Sequence, residues 1–346
     1  MRKPAKFGLF PLVLFFALSG CFSKETTKSS SSRYFEDSSG RRIELPAEIK
    51  TISPSGWLAQ IFLISAAPDM LASLSVPLSA AEKEFLPSFD NLPVTGTFYG
   101  QGAFNPEEIA RIAPDVIIDI GAAKENIADD MDAFTKSTGI PVIHITADLR
   151  NTPDAFRLLG SLLSIEEKCE ALAVFCEKTL LAVDNVMGKT GLVKKQALFC
   201  VGPRGMSVLA KGSFHCETFD WIADNVAVVN NPSARATGNE TNPEQILLID
   251  PQVIVFGSES VYLKDDPFWK QLSAFKTNQY FRTPEGPYNW MGFPPSINRY
   301  LGILWLAKQL YPQFADYDLY DECAEYYRLF YGYDLSRIRF AQLTGR

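Results

Sequence analysis

Short unbroken apolar runs alternate with helical patterns along this chain, which is the arrangement of an α/β protein. Residues 116–120 (VIIDI) and 253–256 (VIVF) are rich in β-branched side chains, and a Gly follows each run directly. Residues 141–146 and 196–201 are similar. Runs of this kind predict buried strands of a parallel sheet. Before them, residues 34–50 predict a strand–turn–strand opening.

One helix–strand segment occurs twice. Residues 104–121 read FNPEEIARIAPDVIIDIG, and residues 241–258 read TNPEQILLIDPQVIVFGS. The two segments align without a gap at a constant offset of 137 positions. Solenoid repeats recur at roughly 20–50 residues, so the longer spacing indicates two similar domains. Because two-lobed proteins commonly bind ligands between their lobes, the predicted site is an interlobe cleft.

Both copies carry the residues that begin a helix. Each has Asn at the N-cap, Pro at the first helical position and Glu in the first turn. Pro114 and Pro251 disfavour a helical conformation at the preceding residue, so both helices are predicted to be short. The first-turn residues are Glu107 and Glu244. Stabilisation of the helix terminus is sufficient to explain them; alternatively, they form a pair of docking points for a partner, one on each lobe.

The longest helical pattern lies midway between the two copies. Over residues 153–186, apolar side chains recur at helical spacing, namely Phe156, Leu159, Leu163, Leu172, Phe175, Leu180 and Val183. One long helix at this place would join the lobes. The predicted organisation is an N-terminal α/β lobe over residues 34–152, a linking helix over 153–190, and a C-terminal α/β lobe with closing helices over 191–346.

Residues 1–20 have the pattern of an export signal. Basic residues precede an apolar stretch, residues 7–18, which is shorter than the about 20 residues that a membrane span needs. The stretch ends in Leu-Ser-Gly-Cys, which resembles the lipobox of bacterial lipoproteins and implies acylation of Cys21; the alternative is a secretory peptide that happens to contain Cys. Residues 21–33 are predicted to be a flexible tether. The protein is therefore expected outside the cytoplasm, lipid-anchored to the bacterial membrane.

Composition narrows the class of function. The net charge is −7 without a basic block after residue 33, which argues against nucleic acid as a partner. No C-x-x-C pair is present, so zinc or Fe–S sites are disfavoured, and the two His residues are too few for a bare-cation trap. No resident cofactor is expected. Most of the cysteines after Cys21 are predicted to be small core residues, namely Cys169, Cys176, Cys200, Cys216 and Cys323.

Loops that follow the predicted strands carry aromatic and cationic side chains. Ligands of α/β sheets bind outside the carboxyl ends of the strands. Arginine suits carboxylate, phosphate or oxyanion groups, whereas Trp and Tyr supply flat apolar walls. The candidate ligand-binding residues are Ser55, Trp57, Tyr99 and Gln101 in the first lobe and Arg204, His215, Arg235, Tyr288, Trp290 and Arg299 in the second. Core packing or a solvated loop charge is the alternative for these residues, and His144, in an apolar strand, is predicted to be a hydrogen-bonded core residue.

Three features together resemble class III substrate-binding proteins of ABC importers. They are the opening D-x-x-G-R-R-I-x-L-P at residues 37–46, the paired N-P-E-x-I-x-x-I-x-P-x-V-I segments, and G-I-L-W-L-A-x-x-L-Y-P at residues 302–312. The resemblance extends over residues 34–312, nearly all of the mature chain. It implies two Rossmann-like α/β lobes joined by one long helix, with the ligand in the cleft between them. It also implies that Glu107 and Glu244 pair with arginines of the permease membrane subunits.

The resemblance implies a monomeric binding protein that captures an iron(III) chelate, such as a siderophore or haem, or a corrinoid such as cobalamin. A second hypothesis keeps the import role but assigns a molybdate- or tungstate-type oxyanion, because the second lobe is rich in candidate arginines. A surface hydrolase or adhesin lipoprotein is the hypothesis from another class. The sequence has no G-x-S-x-G, H-E-x-x-H or Walker motif, so the protein is expected not to be an enzyme.

Overall fold

The computed structural model describes Met1 and residues 32–345, apart from residues 100–103, 234–236, 261–265 and 293. The predicted signal peptide, Cys21 and nearly all of the tether therefore lie outside the described residues, as do Gln101 and Arg235. In the part of the chain that is described, the helices are too short or too polar to cross a membrane.

The N-terminal lobe begins with a hairpin and continues into a parallel sheet. Strands β1 (Ser32–Glu36) and β2 (Arg42–Pro46) pair antiparallel, as the opening pattern predicts. Strands β3 (Ile52–Pro54), β4 (Val116–Gly121) and β5 (Val142–Thr146) form a parallel sheet with β4 in the centre. The helices of this lobe are α1 (Trp57–Ala66), α2 (Ala80–Phe85), α3 (Pro106–Ile112), α4 (Ile127–Thr138) and α5 (Thr152–Leu163), with 3₁₀ turns at Pro68–Met70 and Pro87–Phe89.

The predicted linking helix is divided in two. Helix α5 ends at Leu163, because Ser164 adopts the left-handed conformation with φ of 58°, and helix α6 (Glu166–Met187) follows. Gly160 permits the two helices to pack closely, since a Cβ at this position would lie 2.9 Å from the Cβ of Cys169. The prediction of one helix over residues 153–190 is therefore corrected: α5 packs on β5 of the first lobe, and α6 alone leads to the second.

The C-terminal lobe contains a mixed sheet whose centre is parallel. Strand β10 (Val253–Phe256) lies between β6 (Gln196–Val201) and β11 (Tyr280–Arg282), while β7 (Ser207–Val208), β8 (Asp224–Asn225) and β9 (Asn239–Glu240) extend the sheet beyond β6. The helices are α7 (Glu217–Ile222), α8 (Pro243–Ile249), α9 (Ser273–Lys276), α10 (Arg299–Leu310), α11 (Leu319–Tyr331) and α12 (Arg337–Thr344), with 3₁₀ turns at Phe214–Cys216 and Trp269–Gln271.

The two copies of the repeated segment occupy equivalent positions. Each supplies the central strand of a parallel trio: β4 lies between β3 and β5, and β10 lies between β6 and β11. The Asn105 side chain caps α3 by accepting a hydrogen bond from the Glu108 amide (3.0 Å), and Asn242 caps α8 in the same way through Gln245 (2.9 Å). Both helices end at a left-handed residue before the proline. The helix–Pro–strand prediction is confirmed in both lobes.

The two lobes share one apolar core. Helices α10 and α11 pack against α6, and α11 also packs against α1 of the N-terminal lobe. The Phe85 ring of α2 lies 5.7 Å from the Tyr327 ring of α11. The closing helices, predicted as part of the second lobe, therefore contact both lobes. The five cysteines after Cys21 are buried free thiols, in agreement with the prediction that they are core residues.

Candidate functional site

Three connected openings form a cleft between the lobes. The Trp57 chamber is lined by Ser55, Trp57, Tyr99, Asp119 and Lys124 among others, and its volume is about 370 Å³. The neck is a constriction of about 10 Å³, lined by residues of both lobes that include Leu58, Gly121, Phe214 and Arg299. The Trp221 chamber, about 490 Å³, is lined by Leu149, Arg150, Gly212, Ser213, Phe214, Glu217, Asp220 and Trp221. The neck shares Leu58 and Gly121 with the first chamber and Phe214 with the second.

The sheet of the first lobe positions one wall of this cleft. Ser55 follows β3, Asp119 to Gly121 end β4, and Ala147 follows β5; all of these residues line the Trp57 chamber or the neck. Parallel strands end together at one edge of their sheet, and residues from different strands therefore converge there. The sequence-based expectation of a site at the carboxyl ends of the strands agrees with this geometry.

Aromatic side chains and a lysine form the exposed part of the Trp57 chamber. Trp57, the first residue of α1, is 40% exposed, and Tyr99 is 37% exposed. The Tyr99 hydroxyl donates a hydrogen bond to Asp130 (3.0 Å), and the Lys124 ammonium lies 3.7 Å from the centre of the Tyr99 ring. Burial raises the pKa of Tyr99 above its ordinary value, and the hydrogen bond to Asp130 acts in the same direction. The tyrosine therefore stays neutral at physiological pH.

A buried polar network forms the floor of the Trp57 chamber. The Ser55 hydroxyl donates to one oxygen of Asp119, and Nδ1 of His144 lies 2.7 Å from the other. Nε2 of His144 lies 3.2 Å from the Thr146 hydroxyl, and the histidine is buried, as predicted for a core residue. The carboxylate thus separates the hydroxyl from the imidazole. A hydrolase triad needs the imidazole against the hydroxyl, so this serine lacks the base that would activate it.

The neck contains a buried cation. Arg299, the first residue of α10, is 6% exposed, and its Nη1 donates to Glu217 at 2.5 Å. Its Nε donates to the Ser296 carbonyl oxygen at 3.3 Å, while Nη2 donates to no described residue. Burial lowers the pKa of the guanidinium, although the Glu217 carboxylate opposes this change. Arg299 therefore presents an unused donor pair to the narrowest part of the cleft.

The Trp221 chamber is crossed by contacts between the lobes. The Arg150 guanidinium stacks 3.8 Å from the centre of the Trp221 ring and pairs with Asp184 of α6 at 2.9 Å. The Tyr300 hydroxyl of α10 donates to the Leu149 carbonyl oxygen at 2.7 Å. These contacts join the first lobe, the linking helix and the second lobe on one side of the cleft.

Four predicted ligand-binding residues lie away from the cleft lining. Arg204 is exposed in the turn after β6, and the His215 ring contacts the Gly292 carbonyl oxygen at 2.9 Å. Tyr288 and Trp290 are buried in the shared core. The geometry corrects the idea that these two rings form walls of the cleft: their segment packs beneath α10, and a Cβ at Gly302 of that helix would lie 2.0 Å from the Trp290 carbonyl oxygen. Ser55, Trp57, Tyr99 and Arg299 line the cleft and stay predicted ligand contacts.

Sequence reasoning missed several residues that line the cleft, namely Asp119, Lys124, Arg150, Phe214, Glu217 and Trp221. A signal was present for two of them. Asp119 is the one polar residue of the apolar run 116–120, and Arg150 lies shortly after a strand end. Trp221 and Glu217 lie on a helix, where no strand-end argument applies, so only the approach of the lobes brings them to the site.

The described residues contain no cluster of three His, Cys, Asp or Glu side chains arranged to hold a metal ion. A groove of about 620 Å³ lies elsewhere, between the end of β11 and helix α12. The only residue of the first lobe that lines it, among those described, is Ala81, so it is not part of the interlobe cleft.

The repeated glutamates are exposed in the first turns of α3 and α8. In the described part of the chain neither carboxylate forms an ion pair or a hydrogen bond. The asparagine side chains cap the helices, and Arg111 pairs with Glu108 and not with Glu107. Glu107 and Glu244 therefore leave their acceptor oxygens to solvent.

No protein-family model matches the chain. The molybdate-binding protein MolA of Haemophilus influenzae is 38% identical over 95 residues, which are 27% of this chain and 25% of that relative. The matched stretch thus spans about a quarter of the curated relative's length. An ABC transporter solute-binding protein from Sulfurospirillum deleyianum has a similar structure, with a TM-score of 0.80 and 26% identity, covering 91% of this chain and 99% of that one.

The TroA-like periplasmic binding protein FepB of Veillonella parvula has a TM-score of 0.66 at 19% identity, covering 88% of this chain and 97% of that one, and this likeness concerns the fold. The Sulfurospirillum deleyianum neighbour is a solute-binding protein, which agrees with the prediction that the chain is not an enzyme. With its paired α/β lobes around a cleft, the chain has the fold of the class III, TroA-like solute-binding proteins of ABC transporters, as the sequence resemblance implies.

Proposed function

We propose that this protein is the solute-binding component of an ABC importer and captures an anionic metal chelate in the interlobe cleft. The chelate class is an iron(III)–siderophore, haem or a corrinoid. The observation that carries the proposal is Arg299, a buried guanidinium in the neck whose Nη2 has no partner among the described residues. A buried arginine with unused donors favours a ligand that supplies acceptor oxygens there.

Aromatic side chains that line the cleft on both lobes support a bulky ligand. Trp57 and Tyr99 face the cleft from the first lobe, and Phe214 and Trp221 face it from the second. Flat rings contribute apolar contact area to an organic chelate, whereas a bare oxyanion would use little of it. The metal belongs to the cargo, and the protein itself needs no cofactor.

Delivery to the permease would use Glu107 and Glu244. Their carboxylates lie at equivalent places on the two lobes and are free to accept hydrogen bonds from arginines. The export signal and the lipobox-like sequence support anchoring at the membrane by lipid on Cys21, and the protein would act there as a monomer. In this arrangement the cleft carries cargo while the two repeat helices meet the membrane subunits.

A molybdate- or tungstate-type oxyanion is the second candidate ligand. The 95-residue stretch shared with a molybdate-binding protein supports it, and Arg299 would suit a tetrahedral anion as well as a chelate. The import role is the same in both cases, so the two candidates differ in the size and chemistry of the cargo.

Isothermal titration of the purified protein with a defined panel tests the proposal. The panel contains ferric siderophores, haem, cobalamin, molybdate and tungstate. We expect saturable binding of a chelate and about tenfold weaker binding in Arg299→Gln, because a charge-assisted hydrogen bond is lost. Arg328→Gln, at an exposed position on α11, is the matched control and should bind as the wild type does.

If only molybdate or tungstate gives a heat of binding, the oxyanion replaces the metal chelate as the candidate ligand. An unchanged affinity of Arg299→Gln for the ligand that binds would contradict the role given to the neck. Circular dichroism of each variant verifies that its fold is retained.

A further inference from the structure

The proposed function places the anionic part of the cargo at the neck and uses the Trp57 chamber only for the apolar contacts of its rings. We propose that this chamber binds a cationic, alkylammonium-type group, so that the cargo is dipolar, with its anionic part at Arg299 and its cationic part beside Asp119. The inference rests on the proposed function only in assuming that the cargo binds in the interlobe cleft. It adds a second recognition element of opposite charge to the first.

The first argument is the carboxylate at the floor of the chamber. Asp119 is 7% exposed, and its two oxygens are held by the Ser55 hydroxyl and by Nδ1 of His144. These contacts fix the side chain in place without a lysine or arginine ion pair. A fixed carboxylate beneath an apolar cavity attracts a cation and repels an anion, because the low-dielectric surroundings screen its charge poorly.

The second argument is the pair of aromatic rings above this floor. The Tyr99 ring already carries an ammonium group, that of Lys124, at 3.7 Å from its centre, which is cation–π geometry. The Trp57 indole contacts neither another aromatic ring nor a cation among the described residues, although it is 40% exposed. The chamber therefore has one ring occupied by the chain's own cation and one ring available to a ligand cation.

Lys124 is the charged group that opposes binding of a second cation. It lies on the loop after β4 and is exposed, so its flexible side chain can turn into solvent. Asp130 lies at the rim of the chamber, where it accepts a hydrogen bond from the Tyr99 hydroxyl. Asp119 lines the chamber and Asp130 holds the Tyr99 hydroxyl, so two carboxylates and two rings lie near one exposed ammonium group, and the balance favours a cation.

A matched pair of probes tests this directly on the purified protein. Choline and 3,3-dimethylbutan-1-ol have the same shape, but only choline is charged. We expect choline to bind saturably by calorimetry and to change the tryptophan fluorescence of the wild type but not that of Trp57→Leu. The neutral alcohol should bind at least about tenfold more weakly. Equal affinities for the two probes, or binding of neither at millimolar concentration, would overturn the inference.

Single substitutions test which residues of the chamber bind choline. Asp119→Asn retains the shape of the side chain but removes its charge and replaces one acceptor oxygen with an NH2 donor, so it should weaken choline binding about tenfold. Lys124→Met should strengthen choline binding because a competing cation is removed. Asp154→Asn, at an exposed carboxylate on α5, should leave the affinity unchanged. If Asp119→Asn does not fold, Trp57→Leu and Lys124→Met carry the test: Trp57→Leu should weaken choline binding, and weaker choline binding in Lys124→Met would contradict the inference.

Failure of this inference is distinguishable from failure of the proposed function. A protein that binds the panel ligands but does not discriminate between the two probes lacks only the cation subsite. A protein that discriminates between the probes but binds none of the panel ligands retains the subsite and loses the chelate proposal.

Discussion

At the scale of single residues, buried charged groups hold the first lobe in the shape that the cleft needs. Asp37, in the turn between β1 and β2, accepts hydrogen bonds from Ser39, from the His144 backbone amide (3.0 Å) and from Arg41 (2.5 Å). His144 in turn positions Asp119 at the chamber floor. The opening hairpin is therefore linked to the candidate site through His144, whose backbone amide contacts Asp37 and whose imidazole contacts Asp119.

Asp37→Asn should destabilise the protein by about 2–4 kcal/mol at neutral pH, because a buried ion pair and several hydrogen bonds are weakened. Burial acts to raise the pKa of Asp37, but the hydrogen bonds from Ser39, His144 and Arg41 outweigh it and lower the pKa below its ordinary 3.8. A carboxyl with a lowered folded-state pKa stabilises the fold above its unfolded pKa and loses that contribution as the pH falls below it. Urea unfolding measured between neutral and acidic pH should show this loss in the wild type and a reduced loss in the variant.

Asp132→Asn is the matched control, because Asp132 pairs with the same arginine from an exposed position. Exposed ion pairs contribute at most about 1 kcal/mol, so this variant should resemble the wild type. Equal acid sensitivity of the wild type and Asp37→Asn would contradict the assignment.

At the scale of elements, close helix packing decides how the lobes are joined. The side-chain caps of α3 and α8 contribute about 1 kcal/mol each and act locally. By contrast, Gly302 of α10 lies directly against the segment that contains Trp290, where a Cβ would meet the backbone. Helix α10 also begins with Arg299, so its position sets the position of the cation in the neck.

Gly302→Ala should lower the free energy of unfolding by at least about 1–3 kcal/mol, because overpacking against backbone cannot be relieved by a side-chain rotation. It should also weaken binding of the panel ligand, since α10 must move and carries Arg299 with it. Thermal unfolding and calorimetry measure the two effects.

Gly121→Ala serves as the stability control, because a Cβ at Gly121 would meet no atom within 4 Å and its φ is not in the left-handed region. The melting temperature of this variant should equal that of the wild type or be slightly higher. A wild-type melting temperature for Gly302→Ala would show that α10 has room to shift.

In the whole molecule, helices α3 and α8 begin at equivalent positions of the two lobes, and the lobes share one apolar core. Helices α6, α10 and α11 connect the lobes through a continuous set of buried side chains. Such a core limits how far the lobes move relative to each other when a ligand enters. The spacing between the two repeat helices is therefore set by the fold and suits a partner with two fixed contact points.

The double variant Glu107→Ala with Glu244→Ala should reduce uptake of the panel ligand by at least about tenfold while leaving its affinity nearly unchanged. The reason is that both glutamates lie outside the cleft lining, so cargo binding and docking use different surfaces. Uptake of radiolabelled ligand by cells and calorimetry on the purified protein measure the two quantities.

Glu48→Ala with Asp316→Ala removes two exposed carboxylates outside the repeat helices and should support normal uptake. Full uptake by the Glu107/Glu244 double variant would leave stabilisation of the helix termini as the only role of these residues.

Local sequence patterns were enough to predict the helix–strand segments and their duplication. Prolines, asparagine caps and β-branched runs act within a few residues of themselves, so the two helix–strand segments, the opening hairpin and most strand positions could be predicted. The spacing of 137 positions between the two copies predicted two lobes, and the resemblance to class III binding proteins implied the same architecture. The break at Ser164 was not predictable in this way, because both helices bury one face and the apolar periodicity continues across it.

Which candidate residues meet in the cleft depends on long-range packing between segments that are distant in the sequence. Trp57, Tyr99 and Arg299 line it, whereas Trp290 lies in the core, although all four looked alike as aromatic or cationic residues in loops or beside them. Burial depends on what a distant segment packs against, and no local pattern contains that information. Asp119 shows the same rule in reverse: an aspartate within an apolar strand is chemically conspicuous, but its place at the chamber floor arises because Ser55 and His144, from two neighbouring strands, converge on it.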